Sequence, residues 1–201
     1  MGRPKQYNRD ELLDRAVELF RHRGFNGTST ADLVTELGIN RKSMYAEFGS
    51  KQELFEATLA HYNQNHLTRV LAPIEAPDAG VNAIRDAFTG YTAASEGWFH
   101  GRGCLMCNTA VERGAVDPVS GQYTAAYLDR ITRAFRNALE NGSEAGDIDV
   151  HADLGELAAF LTTALIGVAA CIRAEAPPEQ LHAASKVVMT TLDQHRPANH
   201  A

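Results

Sequence analysis

The chain is predicted to be all-α: an N-terminal three-helix helix-turn-helix unit followed by a helical bundle, about nine helices in total. Three observations predict it. Apolar residues recur at helical spacing through most of the 201 residues. No stretch alternates apolar and polar residues as a half-buried strand would, and there is no internal repeat. Between Thr28 and Glu53, finally, capping signatures and glycine stops succeed one another in the order helix, turn, helix, next helix.

In chain order, Gly2-Arg3-Pro4-Lys5 is a basic arm without periodicity. Such an arm can enter a minor groove, Arg3 being drawn to its negative potential, or it can fray as a solubilising terminus. From Asn8 the chain becomes an amphipathic helix with Leu12, Leu13, Ala16, Leu19 and Phe20 on one face, ending near Gly24, after which Phe25 packs back. Ser29 with Asp32 starts the next helix, Thr30 to Leu37, as a capping-box pair. Gly38 suits a left-handed C′ position and Ile39 plugs the turn. Asn40 can cap a helix from Arg41 to Phe48 by accepting from an orphaned backbone N–H, and Gly49 stops it. Ser50 with Glu53 starts a longer helix.

The helix beginning at Arg41 has the chemistry of a DNA reader, the other reading being a solvated helix with ordinary core residues and two surface cations. Arg41, Lys42 and Ser43 occupy its first turn, where a recognition helix meets base edges. Cations there oppose the helix dipole, so helix stability alone gives no reason for them. Met44 and Phe48, four apart, can pack inward and leave Arg41, Lys42 and Tyr45 on other faces.

With Thr28, Ser29, Asp32, Gly38, Tyr45, Phe48 and Lys51 in this order, residues 9–55 resemble the DNA-binding segment of the TetR family of transcriptional regulators. The resemblance implies that Thr28, Ser29, Tyr45 and Lys51 hold DNA phosphates, while Arg41, Lys42 and Ser43, capped by Asn40, face the major groove. Ala46-Glu47 departs from the family pattern, which favours bulkier aromatic or His residues, and a Glu47 beside a phosphate would repel it.

Ser50 to about Leu71 is predicted as one long helix closed by Pro73 and Pro77, placed as a lever between the reader and the rest. Further helices are expected over 81–95, 105–113, 118–140, 153–174 and 178–193, with Asp117-Pro118 as an N-cap followed by Pro at N1, and with Asn141-Gly142 to Gly146 as a loop. The division expected is 1–55 for DNA binding and 56–201 for ligand binding and dimerisation.

The run Leu157 to Ile172 is apolar nearly all the way round, so it must be covered on every side. A second copy of the chain is the simplest cover, and a central place in a monomeric bundle is the other. Leu161, Ala164, Leu165 and Val168, with Leu181, Ala184, Val188 and Leu192 of the last helix, are the expected interface of a two-fold homodimer. The resemblance points the same way, since TetR-like regulators dimerise through their last two helices. A dyad sets two recognition helices about 34–36 Å apart, which calls for a near-palindromic operator.

Phe88, Tyr91, Trp98, Cys104, Cys107, Asn108, Tyr123, Tyr127 and Phe160 are candidate lining for a small-molecule pocket, since aromatics with a few polar groups suit one, although aromatics on helices are as readily plain core. Gly103 to Ala110 resembles a TetR subgroup with a Gly-Cys-Leu…Asn-Thr-Ala pattern. Cys104 and Cys107 share a helical face and leave three readings open: packing or pocket lining, a thiol sensor of oxidants or electrophiles, and half a metal site for which His100 is the only nearby additional ligand.

Composition bounds the function. Hydrophobic residues make up 44% and charged residues 22%, enough for a real core. The net charge of −6 divides unevenly: residues 1–51 carry nine Lys/Arg and seven Asp/Glu, residues 52–201 ten and eighteen. The first part can approach phosphate while the remainder is repelled by it. The N-terminal residues are polar, without the apolar region of a secretory signal, and the 16 residues of Leu157–Ile172 fall short of the ~20 that a membrane span needs. Three cysteines without an export signal suit a reducing compartment. No G-x-S-x-G, H-E-x-x-H or Walker loop is present, which argues against an enzyme. The sequence thus implies a cytoplasmic homodimer, a repressor rather than an activator, whose partners are double-stranded palindromic operator DNA and a small-molecule effector, with no cofactor, metal or membrane. A thiol-based redox or electrophile sensor using Cys104 and Cys107 is the alternative, and a DNA-binding protein that takes no ligand is a third.

Overall fold

The computed structural model describes residues 7–95, 97 and 100–197. They form ten α-helices and no strand: α1 (Arg9–Arg23), α2 (Thr30–Leu37), α3 (Arg41–Phe48), α4 (Lys51–His61), α5 (Thr68–Glu75), α6 (Val81–Ala94), α7 (Leu105–Arg113), α8 (Pro118–Glu144), α9 (Leu154–Arg173) and α10 (Pro178–Gln194). A π-helical turn, Tyr62–Leu67, joins α4 to α5 without a break, so the described residues make nine separate rods. Two compact units result. One holds the residues up to 69 together with 105–124; the other holds 70–104 and everything from 125 onward.

The first unit is built on α1. Leu12, Leu13, Ala16 and Phe20 are buried from it, and Leu33, Leu37, Met44, Phe48, Leu54, Phe55 and Leu59 complete the core. Phe20 meets Phe55 edge-on at 4.8 Å, and Phe55 lies 5.0 Å from Phe25, the residue that folds back after α1.

In the second unit Phe88 of α6 stacks on Phe135 of α8 at 5.9 Å. Thr132 of α8 and Thr162 of α9 share a hydrogen bond of 3.0 Å, and Arg85 of α6 pairs with Asp193 of α10 at 2.7 Å. Val168 and Ile172 of α9 close on Leu181 of α10, with Tyr91 and Ala94 of α6 against them.

Two helix ends differ from the sequence expectation because tertiary contacts override local breakers. The rod from Lys51 runs through Pro73 to Glu75. Pro73 is exposed while Leu71 and Ile74 beside it are buried, so the burial offsets the lost backbone bond. α8 continues through Asn141-Gly142 to Glu144. There Asn141 Nδ2 donates to the carbonyls of Pro77 and Ala79 at 2.9 and 2.8 Å, and a Cβ at Gly142 would lie 2.7 Å from Val81 Cγ2. The helix needs a residue without a side chain at that approach.

α9 also corrects two expectations. With 20 residues it is long and apolar enough to cross a membrane by length and composition, and 44% of its most apolar window is buried inside the chain. Leu161, Leu165 and Val168, with Leu181, Val188 and Leu192 of α10, are turned into the chain's own core, so intrachain packing already covers them. Of the eight residues expected at a dimer interface, Ala164 is half-buried and Ala184 exposed. The outward stripe of α9 carries instead Ala159, Phe160, Thr163, Gly167 and Ala170, and that of α10 carries Ala183, Ala184 and Val187.

Candidate nucleic-acid interface

Local chemistry presents α3. Ser29 Oγ accepts from Asp32 N at 3.1 Å while the Asp32 carboxylate accepts from Ser29 N at 2.8 Å, a reciprocal capping box that starts α2. The Ser29 hydroxyl, which donates to the same carboxylate at 2.6 Å, and the Ser29 N–H hold the Asp32 carboxyl below its ordinary range, and Arg23, 2.7 Å away, adds to the effect. Gly38 takes φ 67°, ψ 24°, the left-handed conformation that closes α2 without a Cβ penalty. Arg15 Nη1 of α1 donates to the Leu37 carbonyl at 3.3 Å, satisfying one of the last orphan acceptors of α2. Asn40 Oδ1 then accepts from Ser43 N at 2.8 Å and starts α3.

Within α3, Met44 and Phe48 are buried, which leaves Arg41, Lys42 and Tyr45 in solvent and Ser43 half-buried. The Arg41 guanidinium lies over the Tyr45 ring, 5.6 Å from its centre. Hydrogen bonding from Arg41 lowers the Tyr45 phenol below its usual range. Lys51, at the start of α4, sits 4.2 Å from the centre of the Phe25 ring, and burial lowers its ammonium pKa. A first turn with two exposed cations, followed one turn on by an exposed phenol, is suited to contact an anionic duplex.

Two residues take other roles than sequence suggests. Thr28 is fully buried: its hydroxyl donates to the Gly24 carbonyl at 2.6 Å and its N–H to the Phe25 carbonyl at 3.3 Å, so it shapes the α1–α2 turn and its side chain cannot reach a phosphate. Glu47 faces inward, its side chain 6% exposed, accepting from the Tyr7 hydroxyl at 3.1 Å and pairing with Arg9 at 3.5 Å. The departure from the family pattern is thus an anchor for the start of α1. Ser29 remains exposed, while Arg3 lies outside the described residues.

The described candidate pocket residues are divided between the two units. In the second unit, Cys104 Sγ donates to the Tyr127 hydroxyl at 3.4 Å, both residues being buried, and Phe88 belongs to the stacked core. Phe160 lies on the outward face of α9 and Tyr91 is half-buried. Cys107 (buried), Asn108 and Tyr123 (half-buried) belong to the first unit, and Trp98 lies outside the described residues. Asn108 Nδ2 donates to the Arg21 carbonyl at 3.3 Å, so its amide serves the end of α1. No group of three or more His, Cys, Asp or Glu that could hold a metal occurs among the described residues, and Cys104, Cys107 and Cys171 form no disulfide there.

Sequence reasoning missed Glu112 and Arg113, at the end of α7. Glu112 accepts from the backbone N–H groups of Phe25 and Asn26, and Arg113 lies 4.1 Å from the centre of the Phe25 ring while donating to Gln52 at 2.9 Å. The available signal was an acidic residue in a helix's last turn, where the dipole disfavours it.

The family model described as bacterial regulatory proteins, tetR family, matches residues 12–58, and the one described as tetracyclin repressor-like, C-terminal domain, matches residues 80–188. The HTH-type transcriptional repressor ComR of Escherichia coli is 32% identical over 187 residues, 90% of this chain and 86% of ComR. The HTH-type transcriptional regulator YezE of Bacillus subtilis is 29% identical over 194 residues, 96% of this chain and all of YezE. Among solved structures, a cysteine mutant of the regulator CifR in complex with 26-bp double-strand operator DNA aligns with TM-score 0.82 at 29% identity, covering 94% of this chain and 98% of that one.

Proposed function

We propose that this chain, which belongs to the TetR family of bacterial regulatory proteins, is a homodimeric repressor that binds a near-palindromic operator and releases it when a small molecule occupies the C-terminal bundle. The family consists of transcriptional regulators and not of enzymes. The observation that carries the proposal is the exposed first turn of α3, with Arg41 and Lys42 held outward by the burial of Met44 and Phe48 beneath them. Operator DNA in the CifR complex and the repressor role in the name of ComR support the direction of the effect.

Ser29, Tyr45 and Lys51 serve as phosphate contacts, and Arg41, Lys42 and Ser43 as the groove-facing set, in a reading segment over 1–55. Residues 56–201 provide ligand binding and dimerisation. The small and apolar outward stripes of α9 and α10 support a two-fold contact, because small residues let helices approach closely and Phe160 and Val187 are otherwise wetted. A regulator of chromosomal DNA works in the cytoplasm. Cys104 and Cys107 are both buried, which favours packing or pocket lining over direct sensing of dissolved oxidants.

Random-site selection with the purified protein tests the DNA reading. Enrichment of an inverted repeat with half-sites about one helical turn apart is the expected result. Absence of any enriched sequence would sink the proposal, and an enriched site without symmetry would remove the dimeric part of it. A thermal-shift screen of small metabolites tests the effector, since a ligand at about 100 times its Kd adds about 2.7 kcal/mol.

A further inference from the structure

We infer that Glu112 is a positioning residue for operator reading, its carboxylate pinning the α1–α2 turn and so fixing the frame in which α3 meets DNA. The inference rests on the DNA-reading function proposed above.

The turn after α1 exposes two successive backbone donors. Gly24, at φ 73°, ends α1 with its N–H on the Phe20 carbonyl at 2.8 Å, and the next two N–H groups, of Phe25 and Asn26, point to one carboxylate 86–87 residues away in sequence. Glu112 Oε2 accepts from Phe25 N at 2.8 Å and Oε1 from Asn26 N at 2.7 Å. Both oxygens are engaged at charge-assisted distances. The approach is close enough that a Cβ on Gly24 would lie 2.7 Å from Oε2.

Neighbouring side chains extend this grip to both flanks of the helix-turn-helix. Asn108, one turn earlier on the same face of α7, donates to the Arg21 carbonyl at 3.3 Å. Arg113 covers the Phe25 ring and donates from Nη2 to Gln52 Oε1 at 2.9 Å, in the first turn of α4. Gln52 Nε2 in turn reaches the Asp117 carboxylate at 3.3 Å, which itself accepts from Ser120 N at 2.9 Å to cap α8. Residues 112 and 113 therefore hold the segment just before α2 and the segment just after α3. A negative charge near the C-terminal end of α7 opposes that helix's dipole, so the helix gains nothing from it, whereas the turn gains acceptors for two N–H groups.

Charge and position predict opposite signs for the neutral variant. Glu112→Gln removes a negative charge from the unit that approaches phosphate, so simple electrostatics predicts tighter binding. Loss of the pin predicts weaker binding, because the amide offers one acceptor oxygen for two donors. In full-length Glu112→Gln we expect about tenfold weaker affinity for the selected operator, equivalent to about 1.4 kcal/mol. The affinity is measured well below the melting temperature, where loss of folded protein cannot explain it. The slope of affinity against salt should not change, since no phosphate contact is removed. The amide signals of Phe25 and Asn26 should move upfield. Glu112→Asp, which keeps both oxygens one methylene short, should recover part of the affinity, and it gives the same reading should Glu112→Gln not fold. Wild-type or tighter operator binding by a folded variant whose Phe25 and Asn26 amides have shifted would overturn the inference. Failure of the wild-type protein to bind any selected DNA would overturn instead the reading on which it rests.

Discussion

The Arg41 guanidinium lies 5.6 Å from the centre of the Tyr45 ring, with Nη2 3.5 Å from the Tyr45 hydroxyl, so the first cation of the reading helix is braced by a ring one turn further on. Arg41→Ala is expected to cost about 1–3 kcal/mol of operator affinity and to relax the base preference at one position of each half-site. Tyr45→Phe should cost less than Tyr45→Ala, since the ring stays beneath the guanidinium. Fluorescence anisotropy with operator duplexes measures each. Unchanged affinity in folded protein carrying Ala at Arg41, Lys42 and Tyr45 together would refute the interface.

Glu47 separates folding from binding. Its carboxylate holds Tyr7 and Arg9 and is nearly buried, so Glu47→Ala removes both contacts and should lower stability by about 1 kcal/mol in urea unfolding. Were Glu47 facing phosphate, the same substitution would tighten operator binding, and a gain in affinity is the outcome that contradicts the inward assignment.

The two sides of α9 should respond differently to substitution. Leu161 lies in the chain's own core, and Leu161→Ala should cost about 2–5 kcal/mol of stability. Ala170 faces outward, so Ala170→Glu should leave the fold intact and yield a monomer by light scattering. A dimer that survives Ala170→Glu would place the contact elsewhere.

Stability should fall on mild acidification through His66. Burial lowers its imidazole to about 4, with the charges of Arg21 and Arg69 adding to the effect. The unfolded chain takes up this proton near pH 6.5, so between about 6.5 and 4 it binds more protons than the folded chain does. His66 therefore contributes fully above pH 6.5, and its contribution is lost as pH falls toward 4. Urea midpoints at pH 7.5, 5.5 and 4.5 should decline in the wild type and decline less in His66→Gln; parallel declines would exclude His66 as the source.

Where local chemistry decides, the sequence was readable. Ser29, Gly38, Asn40 and Gly49 carry their instructions within three residues, and α2 and α3 begin and end where those residues place them. Legibility failed where a distant partner outweighed a local signal. Pro73 and Gly142 look like stops, yet burial of Leu71 and Ile74 carries the helix past one and the fit against Val81 carries it past the other. In α9 nearly every residue is apolar, so composition cannot say which face turns inward, and Leu161 and Leu165 turn into the chain's own core. Thr28 shows its family position but not its burial, and the contacts of Glu112 and Arg113 across more than sixty residues leave only one trace, an acidic residue in a helix's last turn.

The recognition segment is consequently not a portable cassette. A chimera that grafted only residues 1–55 onto another regulator would leave the amides of Phe25 and Asn26 without their acceptor and Gln52 without its guanidinium donor, because both are supplied by the stretch 105–124. Swapping specificity between such proteins would require moving two discontinuous pieces of chain together.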